Sequence, residues 1–154
     1  MLNVGAHAPD FTVVHEDGRT TRLADLTAAG PSVLYFYPAD FTPVCTKQAC
    51  MFRDIYPELQ AAGIRVFGVS GQGEGSHAAF RDKHALPFEL LPDKDGALAR
   101  AYGVQGPFGL TRRVSYLLDG QGVVVDRLVA DLRVGRHEAF ARNAIARFGR
   151  SAGG

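Results

Sequence analysis

The sequence lacks the features that mark disulfide scaffolds, zinc proteins and nucleic-acid-binding proteins. Its 154 residues include only two cysteines, Cys45 and Cys50, whereas a secreted disulfide scaffold uses more cysteines spread along the chain. The five histidines are dispersed, and none lies at ligand spacing from the cysteine pair, so we predict no metal site. The formal net charge is +1, without any block of like charge, which gives no basic surface for nucleic acid or an anionic membrane.

Long apolar segments are also missing. No run approaches the ~20 residues that span a bilayer. The first five residues lack the cationic and apolar regions of a signal peptide. We therefore expect a cytoplasmic protein, and in that compartment two cysteines are more often catalytic or redox-active than structural.

The hydrophobic pattern predicts one α/β domain over residues 1–150 and a flexible tail over 151–154. A buried strand at 32–37, a helix over 43–62 and a strand at 64–70 form a β-α-β unit, which implies parallel strands. We expect Val44, Met51, Ile55 and Leu59 to line the buried face of that helix. The other predicted elements are hairpins at 11–14 with 20–23 and at 114–118 with 123–129, helices over 76–85, 96–102 and 136–148, and a strand at 88–91. The sum is a central mixed sheet with helices on both faces.

The segment 37–50 carries the residues best suited to catalysis. It lies where a buried strand is followed by a helix, at the sheet edge where ligands bind in α/β proteins. Thr42 is a favourable N-cap residue and Pro43 suits the first helical position, which makes Cys45 the third residue of the helix. Because free N–H groups and the positive end of the helix dipole favour an anion there, we predict that Cys45 is a reactive thiolate. The alternative is a buried core cysteine.

Cys50 follows Cys45 by five residues. On an intact helix this separation is a rise of ~7.5 Å and a rotation of ~140°, which places the two Cα atoms roughly 8–9 Å apart. A disulfide needs about 4.4–6.8 Å, so a bond between the two cysteines requires the first turns of the helix to unwind. We predict a helical reduced form and a locally unfolded oxidised form. The alternative for Cys50 is an inert thiol packed against the sheet.

The motif Pro38-x-x-x-Thr42-x-x-Cys45 resembles the active-site signature of the peroxiredoxins. The second cysteine, five positions further on, resembles the subgroup called peroxiredoxin Q or bacterioferritin comigratory protein. The similarity extends from the segment 5–11 to the segment 113–119. The resemblance implies a thioredoxin-like fold and the reduction of hydrogen peroxide or organic hydroperoxides without metal or bound cofactor. It also implies thioredoxin or a similar dithiol protein as the reductant.

The same resemblance implies roles for five residues. Cys45 matches the peroxidatic cysteine, and Cys50 matches the resolving cysteine that closes a disulfide on it. Thr42 matches the threonine that binds the thiolate and the peroxide, and Pro38 matches the proline that shields the pocket from water. Arg113 matches the arginine whose guanidinium lies beside the thiolate.

An arginine, a glycine-rich segment and four phenylalanines could also contribute to the site. Because adjacent side chains on a strand point to opposite faces, Arg112 is expected to point away from the site that Arg113 enters. The glycine-rich segment 71–75 does not fit a nucleotide-binding motif and is predicted to be a flexible loop. Phe36, Phe41 and Phe52 are candidates for an apolar wall, with core packing favoured for Phe36. Phe108 is a candidate for lining the pocket or an interface.

Three other functions remain open at this point. A dithiol exchanger would act on other proteins, although the chain lacks the C-x-x-C motif. A peroxide sensor would use the same Cys45 chemistry and pass oxidation to a partner. A metal-binding or structural protein is the third alternative. We expect a monomer, with a dimer as the alternative assembly.

Overall fold

The secondary structure, taken from a computed structural model that describes residues 1–130 and 133–152, alternates strands and helices along the chain. The strands are β1 (Thr12–Val14), β2 (Thr20–Arg22), β3 (Ser32–Phe36), β4 (Arg65–Ser70), β5 (Glu89–Pro92), β6 (Val114–Leu118) and β7 (Val124–Val129). The helices are α1 (Leu23–Thr27), α2 (Pro43–Ala61), α3 (Glu74–His84), α4 (Ala97–Ala101) and α5 (Val134–Ala152), with a short 3₁₀ turn at Pro107–Gly109.

The central sheet has five strands in the order β5-β4-β3-β6-β7. Strand β3 pairs in parallel with β4, which pairs in parallel with β5, whereas β6 is antiparallel to both β3 and β7. The predicted mixed sheet and the predicted parallel β-α-β unit are therefore confirmed. Strands β1 and β2 form a separate antiparallel hairpin, as predicted.

Strand β3 is buried along its whole length because both of its faces enter a hydrophobic core. Val33 and Tyr35 pack into a core with residues of α2, α3 and α5. Leu34 and Phe36 point the other way and pack into a second core with residues of α1, α4 and the hairpin. Alternation along a strand explains this division, and it places helices on both faces of the sheet.

Helix α2 runs beside the sheet with a different buried face from the one predicted. Val44 and Met51 are only half-buried. The buried residues are Cys45, Gln48, Ala49, Phe52, Ile55 and Leu59. They recur at three- and four-residue intervals, which is the spacing that keeps side chains on one face of a helix. The prediction is confirmed at Ile55 and Leu59, and Met51 packs half-buried against the same core. It was wrong at Val44, because Cys45 and Gln48 occupy the buried face at the start of the helix.

The end of α2 is fixed by a glycine in the left-handed region. Ala62 is the C-cap residue, and Gly63 follows it with a φ of 77°. The N–H of Ile64 donates to the carbonyl of Leu59 at 2.9 Å, and that of Gly63 donates to Gln60 at 3.0 Å. These bonds form a Schellman motif, which satisfies carbonyls that the helix leaves unpaired and turns the chain into β4.

Two helices are longer than predicted. Helix α3 begins at Glu74 rather than 76, since Gly73 is its N-cap residue and an acidic side chain in the first turn suits the helix dipole. Helix α5 begins two residues earlier than predicted and continues to Ala152, inside the segment expected to be a tail. Residues 153 and 154 of that expected tail lie outside the described residues. In the described part of the chain, no helix has the length and apolarity needed to cross a membrane.

Candidate active site at the start of helix α2

Cys45 lies in the first turn of α2, where the sequence predicts it. Thr42 is the N-cap residue with an extended backbone, and Pro43 is the first helical residue. Cys45 is therefore the third helical residue, and its side chain is 1% exposed. The free N–H groups of the first turn and the positive end of the helix dipole favour a thiolate at this position.

Thr42 and Pro38 lie on the loop that leads into Cys45. The Thr42 hydroxyl donates to the carbonyl of Ala39 at 2.9 Å, and its side chain is exposed. Pro38 is half-buried at the start of the same loop. The binding of a thiolate and a peroxide by Thr42, and the shielding of the pocket by Pro38, stay predictions.

Arg113 directs its guanidinium at Cys45. Its Nη2 lies 3.2 Å from the Cys45 Sγ, and the residue is 4% exposed. The sheet explains this placement, because Phe36 at the end of β3 pairs with Val114 at the start of β6. The residue before Val114 therefore lies beside the start of the loop to α2. A buried guanidinium stabilises a thiolate electrostatically and offers donors to a negative oxygen next to it.

Gln48 is a site residue that the sequence analysis missed. It is fully buried one turn after Cys45, and its Oε1 accepts a hydrogen bond from Arg113 Nη1 at 2.7 Å. Gln48 thus holds the guanidinium beside the sulfur. The sequence pattern that could have identified Gln48 is its spacing of three residues from Cys45, which places both side chains on one face of the helix.

Aromatic rings form one side of the core around Cys45. Tyr35 stacks on Phe52 with ring centroids 4.7 Å apart, and both belong to the same core cluster as Cys45. Phe36 packs in the other core, as the favoured interpretation held. The Phe108 side chain is completely exposed, so the expectation that it lines the pocket is wrong within this chain. Its position at the tip of the short 3₁₀ turn explains that exposure.

Asp40 ties the loop before Cys45 to helix α3. Its carboxylate accepts hydrogen bonds from the Tyr37 hydroxyl at 2.6 Å, the Ser76 hydroxyl at 2.7 Å and His77 Nδ1 at 2.7 Å. His77 Nε2 faces the carbonyl of Leu91 at 3.2 Å. Both imidazole nitrogens therefore face oxygen atoms, so the ring is held from two sides. This network is buried and was not predicted from the sequence.

The network also sets the charge state of Asp40. Burial raises the pKa of this carboxyl, but the hydrogen bonds from His77, Tyr37 and Ser76 outweigh it and hold the pKa below its usual 3.8. Burial raises the pKa of Tyr37 far above its usual 10, so the phenol stays a donor. Asp40 is therefore a carboxylate at neutral pH and accepts from all three groups.

Phe41 occupies a strained position in the loop between Asp40 and Cys45. Its φ is 63°, in a region that residues other than glycine seldom adopt. Its ring packs edge to face on Phe80 of α3, with centroids 5.2 Å apart, and Lys83 lies over it at 5.9 Å. Contacts with α3 thus hold the loop in the conformation that starts α2 at Pro43.

Cys50 has different surroundings from Cys45. It is a free, half-buried thiol, and its Sγ lies 3.9 Å from His84 Nδ1. On the solvent side it lines a cavity of about 440 Å³ that also contacts Glu138 and Arg142 of α5. The alternative of a thiol packed against the sheet is therefore wrong, because Cys50 lies on the side of α2 that faces α3 and α5.

Other candidate sites lack comparable chemistry. Among residues 1–130 and 133–152, no group of three or more His, Cys, Asp and Glu side chains could hold a metal ion. The glycine-rich segment ends in the first turn of α3, where Glu74 would repel a phosphate. Gln72 within it accepts a hydrogen bond from the Asp40 N–H, which ties this segment to the active-site loop.

Comparison with known sequences identifies relatives over most of the chain. Residues 4–127 match the model of the AhpC/TSA family. A chloroplastic peroxiredoxin Q of Triticum aestivum is 48% identical over 125 residues, which are 80% of this chain and 57% of the wheat protein. The corresponding protein of Arabidopsis thaliana is 47% identical over the same length. This chain therefore spans a little over half the length of these curated relatives.

Solved structures agree with the sequence matches. The peroxidoxin BcpB of Mycobacterium tuberculosis superposes with a TM-score of 0.87 at 30% identity, covering 96% of this chain and 98% of that one. A mutant of Xanthomonas campestris peroxiredoxin Q gives a TM-score of 0.80 at 32% identity, covering 89% and 91%. These likenesses confirm the predicted thioredoxin-like fold. The chain belongs to the AhpC/TSA family and, within it, to the peroxiredoxin Q group.

Proposed function

We propose that this protein is a thiol-dependent peroxidase that reduces hydrogen peroxide and organic hydroperoxides. Cys45 is the nucleophile, Cys50 resolves the oxidised Cys45 as an intramolecular disulfide, and thioredoxin or a similar dithiol protein restores both thiols. The observation that carries this proposal is the contact of 3.2 Å between Arg113 Nη2 and Cys45 Sγ, in a buried site at the start of a helix.

The first step oxidises Cys45. Its thiolate attacks the terminal oxygen of the hydroperoxide, so that an S–O bond forms while the O–O bond breaks. The leaving hydroxide or alkoxide takes up a proton and departs as water or an alcohol. Arg113 stabilises the thiolate before the attack and the charge that grows on the leaving oxygen during it. Gln48 holds the guanidinium in that position.

The second step requires a change of conformation. Both cysteines lie on α2, which is continuous from Pro43 to Ala61, and five residues of helix keep them roughly 8–9 Å apart. The first turns of α2 therefore open, and the Cys50 sulfur attacks the sulfenic sulfur of Cys45. An S–S bond forms, the S–O bond breaks, and water leaves. Two successive exchanges with a dithiol then return both cysteines to thiols.

The test is peroxide consumption by the wild type, Cys45→Ser and Cys50→Ser with a protein dithiol supplied. We expect the Cys45 variant to consume no peroxide above background. The Cys50 variant should consume one equivalent and stop with a sulfenic acid on Cys45 that dimedone traps. Equal, slow consumption by all three proteins would refute the proposal. Reduction of insulin without peroxide consumption would instead identify a dithiol exchanger, and oxidation without turnover would identify a sensor.

A further inference from the structure

The thiol of Cys50 must lose a proton before it can attack, and its surroundings differ from those of Cys45. Arg113 contacts Cys45 and Gln48, on the face of α2 that is buried against the sheet. Cys50 lies about 140° further around the helix, with the imidazole of His84 beside it. A neutral imidazole is a good acceptor for a thiol proton near neutral pH.

We propose that His84 is the catalytic base of the resolving step, an inference that rests on the peroxidase function proposed above. Its Nδ1 lies 3.9 Å from the Cys50 Sγ, within reach of a sulfur hydrogen bond. Nδ1 takes the proton of the thiol, and the resulting thiolate attacks the sulfenic sulfur of Cys45. The S–S bond forms while the S–O bond breaks. The leaving hydroxide takes up a proton from the solvent and departs as water, and the imidazolium releases its proton to the solvent.

The location of His84 suits this role because it lies outside the segment that has to unwind. It is the last residue of α3, whereas the two cysteines are on α2. Its ring packs edge to face on Phe80, with centroids 5.2 Å apart. Its carbonyl accepts a hydrogen bond from Arg53 Nη1 at 2.9 Å. The imidazole is therefore held by α3 and by the middle of α2 when the first turns open.

Two cations, Arg53 and Lys83, lie near His84, and each has a contact of its own. Arg53 of α2 faces the His84 backbone and is paired with Asp54 at 3.0 Å. Lys83 precedes His84 in the chain, and its ammonium lies over the Phe41 ring.

The experiment follows both steps in single turnovers. Reduced wild type, His84→Phe and His84→Asn receive one equivalent of hydrogen peroxide, and samples are quenched by alkylation for mass spectrometry. His7→Asn is the matched control, since His7 is exposed and lies in an isolated bridge with Val123. We expect equal rates of Cys45 oxidation in all four proteins. At pH 7 disulfide formation should slow about 100-fold in both His84 variants.

The pH profile separates proton transfer from mere positioning. A thiol ionises without help above about pH 9, so the disulfide rates of the His84 variants should rise to that of the wild type there. Unchanged rates at pH 7, or a loss that persists equally at every pH, would overturn the inference. The His84→Asn variant keeps a polar group near the sulfur and so guards against a packing defect in His84→Phe. If wild type formed no sulfenic acid or disulfide, the proposed function would fail, and this inference with it.

Discussion

Cys45 and Cys50 lie five residues apart on one helix but have opposite surroundings. Cys45 is buried at the start of α2, with a guanidinium at 3.2 Å that Gln48 holds in place. Cys50 is half-buried and lies between an imidazole and a cavity beside α5. Under the proposed function, the permanent charge of Arg113 suits the thiol that attacks peroxide, and the imidazole of His84 suits the thiol that resolves the sulfenic acid.

The loop before Cys45 and the part of α2 around Cys50 are also held in place by different contacts. The loop before Cys45 is tied to α3 by the Asp40 network and by the packing of Phe41 on Phe80. Between these anchors and Cys50 lie the first turns of α2, which carry Cys45. We infer that the anchors define where unwinding begins and that the contacts around Arg53 define where it ends.

Removal of the Arg113 guanidinium should have the largest effect on the reactivity of Cys45. In Arg113→Met, we expect the rate constant of Cys45 oxidation by hydrogen peroxide to fall about 100- to 1,000-fold, because the thiolate and the leaving oxygen lose their donor. The rate at which an alkylating reagent modifies Cys50 should not change. Rapid-quench mass spectrometry measures both rates in the same sample.

Arg112→Met is the control for that experiment, since Arg112 is half-buried and its side chain lies against Gly106. It should keep the wild-type rate of Cys45 oxidation. A loss in the Arg112 variant as large as in the Arg113 variant would mean that general positive charge, rather than the contact at 3.2 Å, activates the sulfur.

Asp40→Asn should weaken the anchor of the loop and lower the free energy of unfolding by about 2–3 kcal/mol at pH 7, because three donors lose a charged acceptor. The folded pKa of Asp40 lies below its usual 3.8, so its contribution is complete above that value and is lost as the pH falls through the folded pKa. The difference between wild type and variant in urea unfolding should therefore shrink below about pH 4. Asp17→Asn is the control.

Asp17 is an exposed carboxylate in the hairpin turn, paired only with the exposed Arg19 among the described residues. Its replacement should change the free energy of unfolding by less than about 0.5 kcal/mol. A similar small change in Asp40→Asn, constant with pH, would show that the buried network does not stabilise the loop. The loop would then owe its conformation to the packing of Phe41 on Phe80 and to the backbone hydrogen bond from Asp40 to Gln72.

The parts of the site that depend on neighbouring residues could be predicted from the sequence. The N-cap Thr42, the helical start at Pro43 and the place of Cys45 in the first turn follow from local chemistry. Cys50 on the other side of the helix follows from helical geometry. The strands also follow from local signals, since each is an apolar run bounded by turn residues. The order of strands and helices along the chain then predicts the mixed sheet.

The parts that depend on distant contacts could not be predicted in this way. Arg113 is 68 residues from Cys45, and only the resemblance to a family selected it. His77 contacts Asp40 in the loop before Cys45, His84 contacts Cys50, and no local pattern marks either histidine. Gln48 is an intermediate case. Its spacing was visible, but a polar side chain on a buried face is recognised only once its partner is known.

Replacement of Gln48 should have the smallest effect among the changes near Cys45. Its Oε1 accepts from Arg113, whereas its buried Nε2 has no hydrogen-bond partner among the described residues. In Gln48→Leu, the guanidinium loses one acceptor and becomes less well oriented, so we expect Cys45 oxidation to slow about tenfold, which is ~1.4 kcal/mol in the barrier. The free energy of unfolding should change little, since an unpartnered buried N–H group is removed along with the bond.

Gln60→Leu, at an exposed position of the same helix, should leave both quantities unchanged. Rapid-quench oxidation and urea unfolding together decide the outcome. A tenfold slower oxidation with unchanged stability would mean that Gln48 acts by orienting Arg113. Unchanged oxidation in Gln48→Leu would mean that the side chain merely fills space next to Cys45, and the contrast between the two cysteines would then rest on Arg113 alone.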